Sequence, residues 1–354
     1  MFSDQLKKLR ITKDLKLREL SASTGIDQTL LSRFERGDRL PTEKQIQQLA
    51  DALKEKSHNL ETEWLAEKIV KVVKHNPTAL EALRLAETRV EYLLSKNTIE
   101  RPVISDSIRK KLIRIDNLKA EWKSKHPLNI SQLKRMQEYF DTEYTYESNR
   151  IEGNTLTLQE TMLVISEGLT IGGKSMTEHL EAINHAHAIH FMREMIKGGE
   201  DLSKRNVLDL HRLILKGIDD QNAGTYRNVP VRISGSSVRL PPPYLVSKLM
   251  EDYYRYYETF KTRIHPVLLA ADMHERLVSI HPFIDGNGRT SRLIMNLILL
   301  KHGYTTVNIK GSPESRSAYF RALAEMQSNN NSDPFYDLIT DECINSLQRH
   351  LELT

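Results

Sequence analysis

The sequence predicts an all-α fold carrying one short β-hairpin, on three observations. Apolar residues recur three and four apart along most of the 354-residue chain, the spacing that lines one face of a helix. Glycine, proline and Ser/Thr cap signals break that spacing often enough for helices of ordinary length, as at the capping box Thr157-Leu158-Gln159-Glu160. Convincing alternation of apolar and polar residues is confined to Val229, Val231 and Ile233, followed by a Gly235-Ser236 turn and the return Val238 to Leu240.

Composition narrows the class. With 39% hydrophobic and 28% charged residues the chain suits a soluble globular protein long enough for two or three domains. No apolar run approaches the ~20 residues of a membrane span, so no membrane role is expected, and the N-terminus lacks a signal-peptide layout. The one cysteine, Cys343, cannot form an internal disulfide and points to a cytoplasmic setting. A net charge of +4 is too small to argue a nucleic-acid partner, which leaves that question to local pattern.

Taken in order, residues 1–56 read as four short helices, with Leu6, Leu20, Leu31, Phe34, Ile46 and Leu53 among the repeating apolar positions. Leu17 to Gly37 has helix, Gly25 turn and second helix at helix-turn-helix spacing. This segment resembles the lambda-repressor and Cro type of DNA-binding domain. The resemblance implies that Gln28, Thr29, Ser32 and Arg33 sit on the recognition helix and meet DNA. A plain helical bundle, or one used for protein contact, would carry the same pattern. Residues 57–99 form a helical connector, open to pairing with a second copy as a homodimer, and Pro102 follows the expected boundary before a domain spanning 100–354.

Further helices are expected over Lys110–Lys125 and Ser131–Thr142, and Gly153 closes another. Gly168 to Ser175 satisfies the P-loop pattern, but no strand signal precedes it and Gly168 is better read as a helix end. His179, His185, His187 and His190 lie on one expected helix without the spacing of a zinc site, and read as core or surface histidines. After the hairpin, Leu245–Thr262 and Ile264–Ile280 lead by helices to the most informative run, His281 to Arg292. Arg316–Gln327 and Pro334–Leu353 close the chain as helices.

In that run Gly286 and Gly288 let the backbone turn sharply and approach a ligand, and the N–H groups opening the next helix form an anion site. Arg289 and Arg292 share a face and can clamp successive phosphates. Asp285 is a hard oxygen ligand suited to Mg²⁺, Asn287 is a neutral donor, and His281 can accept a proton at neutral pH. The set points to phosphoryl or nucleotidyl transfer.

The run resembles the signature of the Fic family, His-Pro-Phe-x-[Asp/Glu]-Gly-Asn-Gly-Arg-x-x-Arg, and meets every fixed position. The resemblance, close over 145–330 and looser over 100–145, implies a Fic-like helical core. It implies transfer of AMP from ATP, with Mg²⁺, to a Ser, Thr or Tyr hydroxyl of a target protein, the chain itself included. On that reading His281 is the base, Asp285 the metal ligand, and Gly286, Asn287 and Gly288 the phosphate cradle. Arg289 and Arg292 become the clamps, Tyr319 lies on the adenine side, and Val231, Ile233 and Gly235 belong to a flap that binds the target chain by strand addition. Ser148, Glu152 and Gly153 resemble the family's inhibitory motif, implying a Glu152 carboxylate that pairs with Arg292 and keeps it from the γ-phosphate. In some members the same glutamate helps remove AMP, so de-AMPylation stays open, and a few members move another phosphate-bearing group. The alternative is a transcription regulator whose core senses nucleotide without turnover; the complete set of site residues argues against it.

Overall fold

The computed structural model describes residues 1–54, 57–95, 102–125, 129–233, 240–329 and 331–354. Among these it contains 16 helices and no strand, in two compact units, 1–98 and 99–354.

The first unit comprises α1 (Phe2–Thr12), α2 (Leu17–Thr24), α3 (Gln28–Glu35), α4 (Glu43–Leu53), α5 (Ser57–Val73) and α6 (Ala79–Ser95). Gly25, at φ 70°, ends α2 in the left-handed region, and the Asp27 carboxylate caps α3 by accepting from the N–H groups of Thr29 and Leu30. Leu31 and Phe34 face a core shared with Phe2, Leu6, Leu20 and Ile46. The opposite side of α3 presents Gln28, Thr29 and Arg33 to solvent, with Ser32 half-buried. Leu60 and Trp64 of α5 join the same core, and the Trp64 indole N–H donates to the Pro41 carbonyl at 2.8 Å. The connector's first helix is thus packed on the helix-turn-helix bundle.

The second unit comprises α7 (Asp106–Ser124), α8 (Ile130–Glu152), α9 (Leu158–Glu167), α10 (Met176–Lys197), α11 (Lys204–Leu215), α12 (Pro243–Phe260), α13 (Pro266–Ile280), α14 (Asn287–Lys301), α15 (Pro313–Asn329) and α16 (Asp333–Glu352). Helix α14 is its centre. Leu293, Ile294, Met295 and Leu299 are apolar on several faces and wholly buried, because α13, α10, α11 and α8 surround it. A helix enclosed this way has no freedom to tilt, so its N-terminus is a fixed point on which a site can be built.

Three expectations need adjustment. Helix α8 is continuous to Glu152 rather than ending near Thr142, since Thr145, Ser148 and Asn149 are polar yet buried and hide the helical period. Helix α11 goes beyond the helices expected from the sequence, and its Val207, Leu210 and Ile214 bury one face. The hairpin flap is not seen: residues 228–233 are in no strand, and 234–239, Gly235 included, lie outside the described residues. A physical cause is at hand, because the Arg227 guanidinium takes the carbonyls of Val229 (3.2 Å) and Pro241 (2.6 Å) that a ladder would use.

The P-loop pattern is accounted for without a nucleotide. Gly168 ends α9 in the left-handed region, and the Lys174 ammonium donates to the Thr155 carbonyl (2.6 Å) and hydroxyl (3.0 Å). The histidines of α10 diverge: His179 is bonded to the 171–175 turn, His185 is buried, and His187 and His190 face solvent.

Candidate active site

The turn between α13 and α14 is held by Arg227, His211 and Asn287. His281 caps α13 in the left-handed region, at φ 50° and ψ 59°, a conformation that costs a non-glycine residue roughly 1–2 kcal/mol. Arg227, itself buried, holds it there: its Nε–H donates to the His281 carbonyl at 2.7 Å and its backbone N–H to the Pro282 carbonyl at 2.8 Å. Phe283 is fully buried and stacks on His211, ring centroids 3.6 Å apart. Both ends of the Asn287 amide bond the Phe283 backbone at 3.0 Å, so this side chain braces the turn instead of reaching outward.

His211 fixes the far side. Its Nδ1 accepts from the Gly224 N–H at 2.9 Å, which places the proton on Nε2, and Nε2–H donates to the Asp285 carbonyl at 2.9 Å. Burial lowers its pKa to about 4, so the ring is neutral. Gly286, at φ 76°, passes so close that a Cβ would lie 3.3 Å from the His211 ring. The sequence alone does not point to His211 or Arg227; they stand about 70 and 54 residues before the run, and only the fold brings them to it.

Helix α14 then begins at Asn287, and its first N–H groups have no intrahelical partner. Arg289 is buried, donating to Glu181 Oε1 at 2.9 Å and Asp285 Oδ2 at 3.1 Å. Arg292, 1% exposed, donates from Nε to Ser148 Oγ (3.0 Å) and from Nη2 to the Ser148 carbonyl (2.9 Å) and Glu152 Oε1 (2.7 Å). That carboxylate also lies over the first turn of α14, since a Cβ built on Gly288 would collide with Glu152 Oε1. The Glu152 carboxylate therefore sits where the helix N-terminus favours an anion. Burial works to raise its pKa, but the charges of Arg292 and Arg289 and the bond from Arg292 outweigh it and hold the carboxyl below its usual range. Gly153 ends α8 at φ 104° directly behind it.

His281 is half-buried at the rim. Its Nδ1 lies 3.3 Å from the Val278 carbonyl, which can only accept; Nδ1 thus carries the proton and Nε2 keeps its lone pair. Burial holds its pKa below the ordinary value, with the charge of Arg227 acting the same way and Val278, Glu152 and Asp285 opposing. The Asp285 side chain is 64% exposed with Arg289 as its charge partner. One exposed carboxylate beside an anion cradle suits Mg²⁺, which keeps several waters and takes substrate phosphates as ligands rather than an all-protein cage. Tyr319 is fully buried, its hydroxyl 3.0 Å from His274 Nε2 and close enough to Arg292 to feel its charge. Val231 and Ile233 are half-buried in irregular chain.

Among known proteins, residues 201–299 match the Fic/DOC family and residues 6–59 a helix-turn-helix family. The chain is 32% identical over 256 residues to the protein adenylyltransferase Fic of Drosophila grimshawi, covering 71% of this chain and 51% of the relative. The chain thus spans about half the length of the curated relatives it matches. A segment of Fic-1 from C. elegans superposes with a TM-score of 0.64 at 27% identity, covering 99% of this chain and 98% of that one. A Fic domain containing signaling protein from Bacteroides thetaiotaomicron superposes at 0.62 with 30% identity, over 68% of this chain and 97% of that one. A central helix whose first turn meets two buried arginines, on a chain this similar to solved Fic folds, leaves one assignment: the chain belongs to the Fic/DOC family, with a helix-turn-helix domain at its N-terminal end.

Proposed function

We propose that this chain is a protein adenylyltransferase, restrained by its own Glu152. The observation that carries the reading is the convergence of His281, Asp285, Arg289, Arg292 and the α14 N-terminus on one turn, with a carboxylate already resting in the anion position.

The triphosphate of ATP takes the α14 N-terminus, with Arg289 and Arg292 neutralising successive phosphates. His281 Nε2 removes the proton from a Ser, Thr or Tyr hydroxyl of the target as its oxygen bonds to the α-phosphorus. The bond from that phosphorus to the bridging oxygen breaks, and pyrophosphate leaves with its electron pair. Mg²⁺, held by Asp285 and phosphate oxygens, would supply charge neutralisation. Glu152 opposes this by occupying Arg292 and putting negative charge beside the cradle. The same carboxylate could serve the reverse step, removal of AMP.

The first unit supports a DNA partner, read by Gln28, Thr29, Ser32 and Arg33 on the outer face of α3, and helix-turn-helix domains commonly act as dimers. The domains are 1–56, a connector 57–99 and a catalytic domain 100–354. Incubation with ATP and Mg²⁺, followed by mass spectrometry, is expected to show AMP added to the chain or to a supplied protein. The addition should be lost in His281→Ala and increased in Glu152→Gly. DNA binding retained by a His281→Ala variant whose parent never transfers AMP would favour the nucleotide-sensing regulator instead.

A further inference from the structure

Arg289 is a buried charge, 2% exposed, and two carboxylates reach it from different elements. Asp285 stands four residues before it on the α13–α14 turn, its Oδ2 accepting from Nη2 at 3.1 Å; Glu181 comes from α10, its Oε1 accepting from Nη1 at 2.9 Å. Their surroundings differ. The Asp285 side chain is 64% exposed and the Glu181 side chain 15%. Water screens the first attraction strongly and the second much less, so Glu181 supplies most of the counter-charge that lets Arg289 stay buried. Glu152 also acts on Arg289 through its charge, but its bond goes to Arg292.

Glu181 is itself held. Its other oxygen accepts from Asn154 Nδ2 at 2.9 Å, and the same nitrogen donates to the Glu178 carbonyl at 3.0 Å. Asn149 Nδ2 donates to the Glu181 carbonyl at 3.2 Å, tying this turn of α10 to α8. A carboxylate bonded at both oxygens is a fixed counter-charge, and Arg289 takes its place from it.

The consequence falls on Asp285. At 3.1 Å its bond to Arg289 is longer than the roughly 2.7–2.9 Å of a full charge-assisted pair, so the guanidinium rests loosely against it. Without Glu181, Asp285 is the one bonded carboxylate left to Arg289 among the described residues. A buried charge that has lost its partner is strongly unfavourable, and a guanidinium fork can close on both oxygens of the partner that remains. Those are the oxygens through which Asp285 would hold Mg²⁺.

We propose that Glu181 is a positioning residue of the transfer site: it neutralises Arg289 from the protein side and so leaves the Asp285 carboxylate open to Mg²⁺. The inference rests on the adenylyltransferase reading and deepens it, adding a residue from outside the run His281 to Arg292.

Binding of a non-hydrolysable ATP analogue to the full chain, followed by calorimetry across a series of Mg²⁺ concentrations, tests it without turnover. Glu181→Gln is expected to raise the Mg²⁺ concentration for half-maximal binding about tenfold, the usual scale for losing an outer partner of a metal ligand. If Glu181→Gln fails to fold, Glu181→Asp keeps the charge but retracts it, and is expected to shift the midpoint in the same direction by less. Glu178→Gln is the control, since Glu178 accepts from the Thr155 and Ser175 N–H groups on the same stretch of α10 and has no bond to Arg289. It is expected to lower the melting temperature and leave the Mg²⁺ midpoint in place. In an Asp285→Ala background, adding Glu181→Gln is expected to shift the midpoint no further. An unchanged midpoint in both Glu181 variants, an equal shift in Glu178→Gln, or a further shift in the Asp285→Ala background each overturns the proposal and leaves the adenylyltransferase reading standing. A wild-type chain that shows no Mg²⁺-dependent binding of the analogue overturns both.

Discussion

At the scale of single residues, the charges at the α13–α14 turn are paired within the protein, Arg292 with Glu152 and Arg289 with Glu181 and Asp285. His281 must be neutral to accept a proton, and burial keeps its pKa below the ordinary histidine value. Activity is therefore expected to rise with pH through a midpoint below 6.5 and to level off by neutrality, measured as the initial rate of AMP incorporation. Glu152 is among the groups that raise the His281 pKa, so Glu152→Gly should move that acid limb to lower pH as well as raise the plateau. An acid limb at the same pH in both proteins would contradict the placement of the carboxylate. His211 works on backbone rather than substrate. Replacing it by alanine strands the Gly224 N–H and the Asp285 carbonyl and unstacks Phe283, so His211→Ala is expected to lose about 3 kcal/mol in urea unfolding, with AMP transfer falling alongside.

At the scale of elements, α8 and α14 meet through Glu152 and Arg292, and a strap from Lys310 to Arg316 is bonded along α8, Lys310 to Glu143, the Gly311 N–H to Glu147 and Arg316 to the Ile151 carbonyl. Gly311→Ala forces a methyl against α8 without touching the proposed ATP groups. The expected result is a melting temperature several degrees lower, from overpacking worth about 1–3 kcal/mol, together with faster self-labelling as the last turn of α8 loosens. Slower labelling at unchanged ATP affinity would mean the strap serves catalysis and not restraint. In the first unit, α3 buries Leu31 and Phe34 and turns Gln28, Thr29 and Arg33 outward. Arg33→Ala is expected to weaken DNA retention and to lower the salt slope by about one if it meets a phosphate, read from binding isotherms at several salt concentrations.

At the scale of the whole molecule, the second unit stores buried neutral histidines. His211 and His350 are lowered to about 4 and His274 to about 3, burial being the main cause in each. A histidine whose folded pKa lies below its unfolded value contributes full stability above pH 6.5 and loses it as pH falls towards the folded value. The second unit is thus expected to melt at steadily lower temperature between pH 6.5 and about 4, His211 alone accounting for about 3 kcal/mol. A flat melting temperature across that window would mean these rings take up protons without unfolding. What the sequence determined by itself was whatever rests on local chemistry. The helical class followed from spacing, the ends of α2, α8 and α9 from Gly25, Gly153 and Gly168, and the family from the twelve contiguous residues His281 to Arg292. The tertiary structure alone decided the rest. It pinned the turn with His211 and Arg227, turned the Asn287 amide inward and buried Tyr319. It kept 228–233 out of a strand. Each of those outcomes is a contest for hydrogen bonds among groups far apart in the chain, and the winner is set by which side chains packing has already brought within 3 Å.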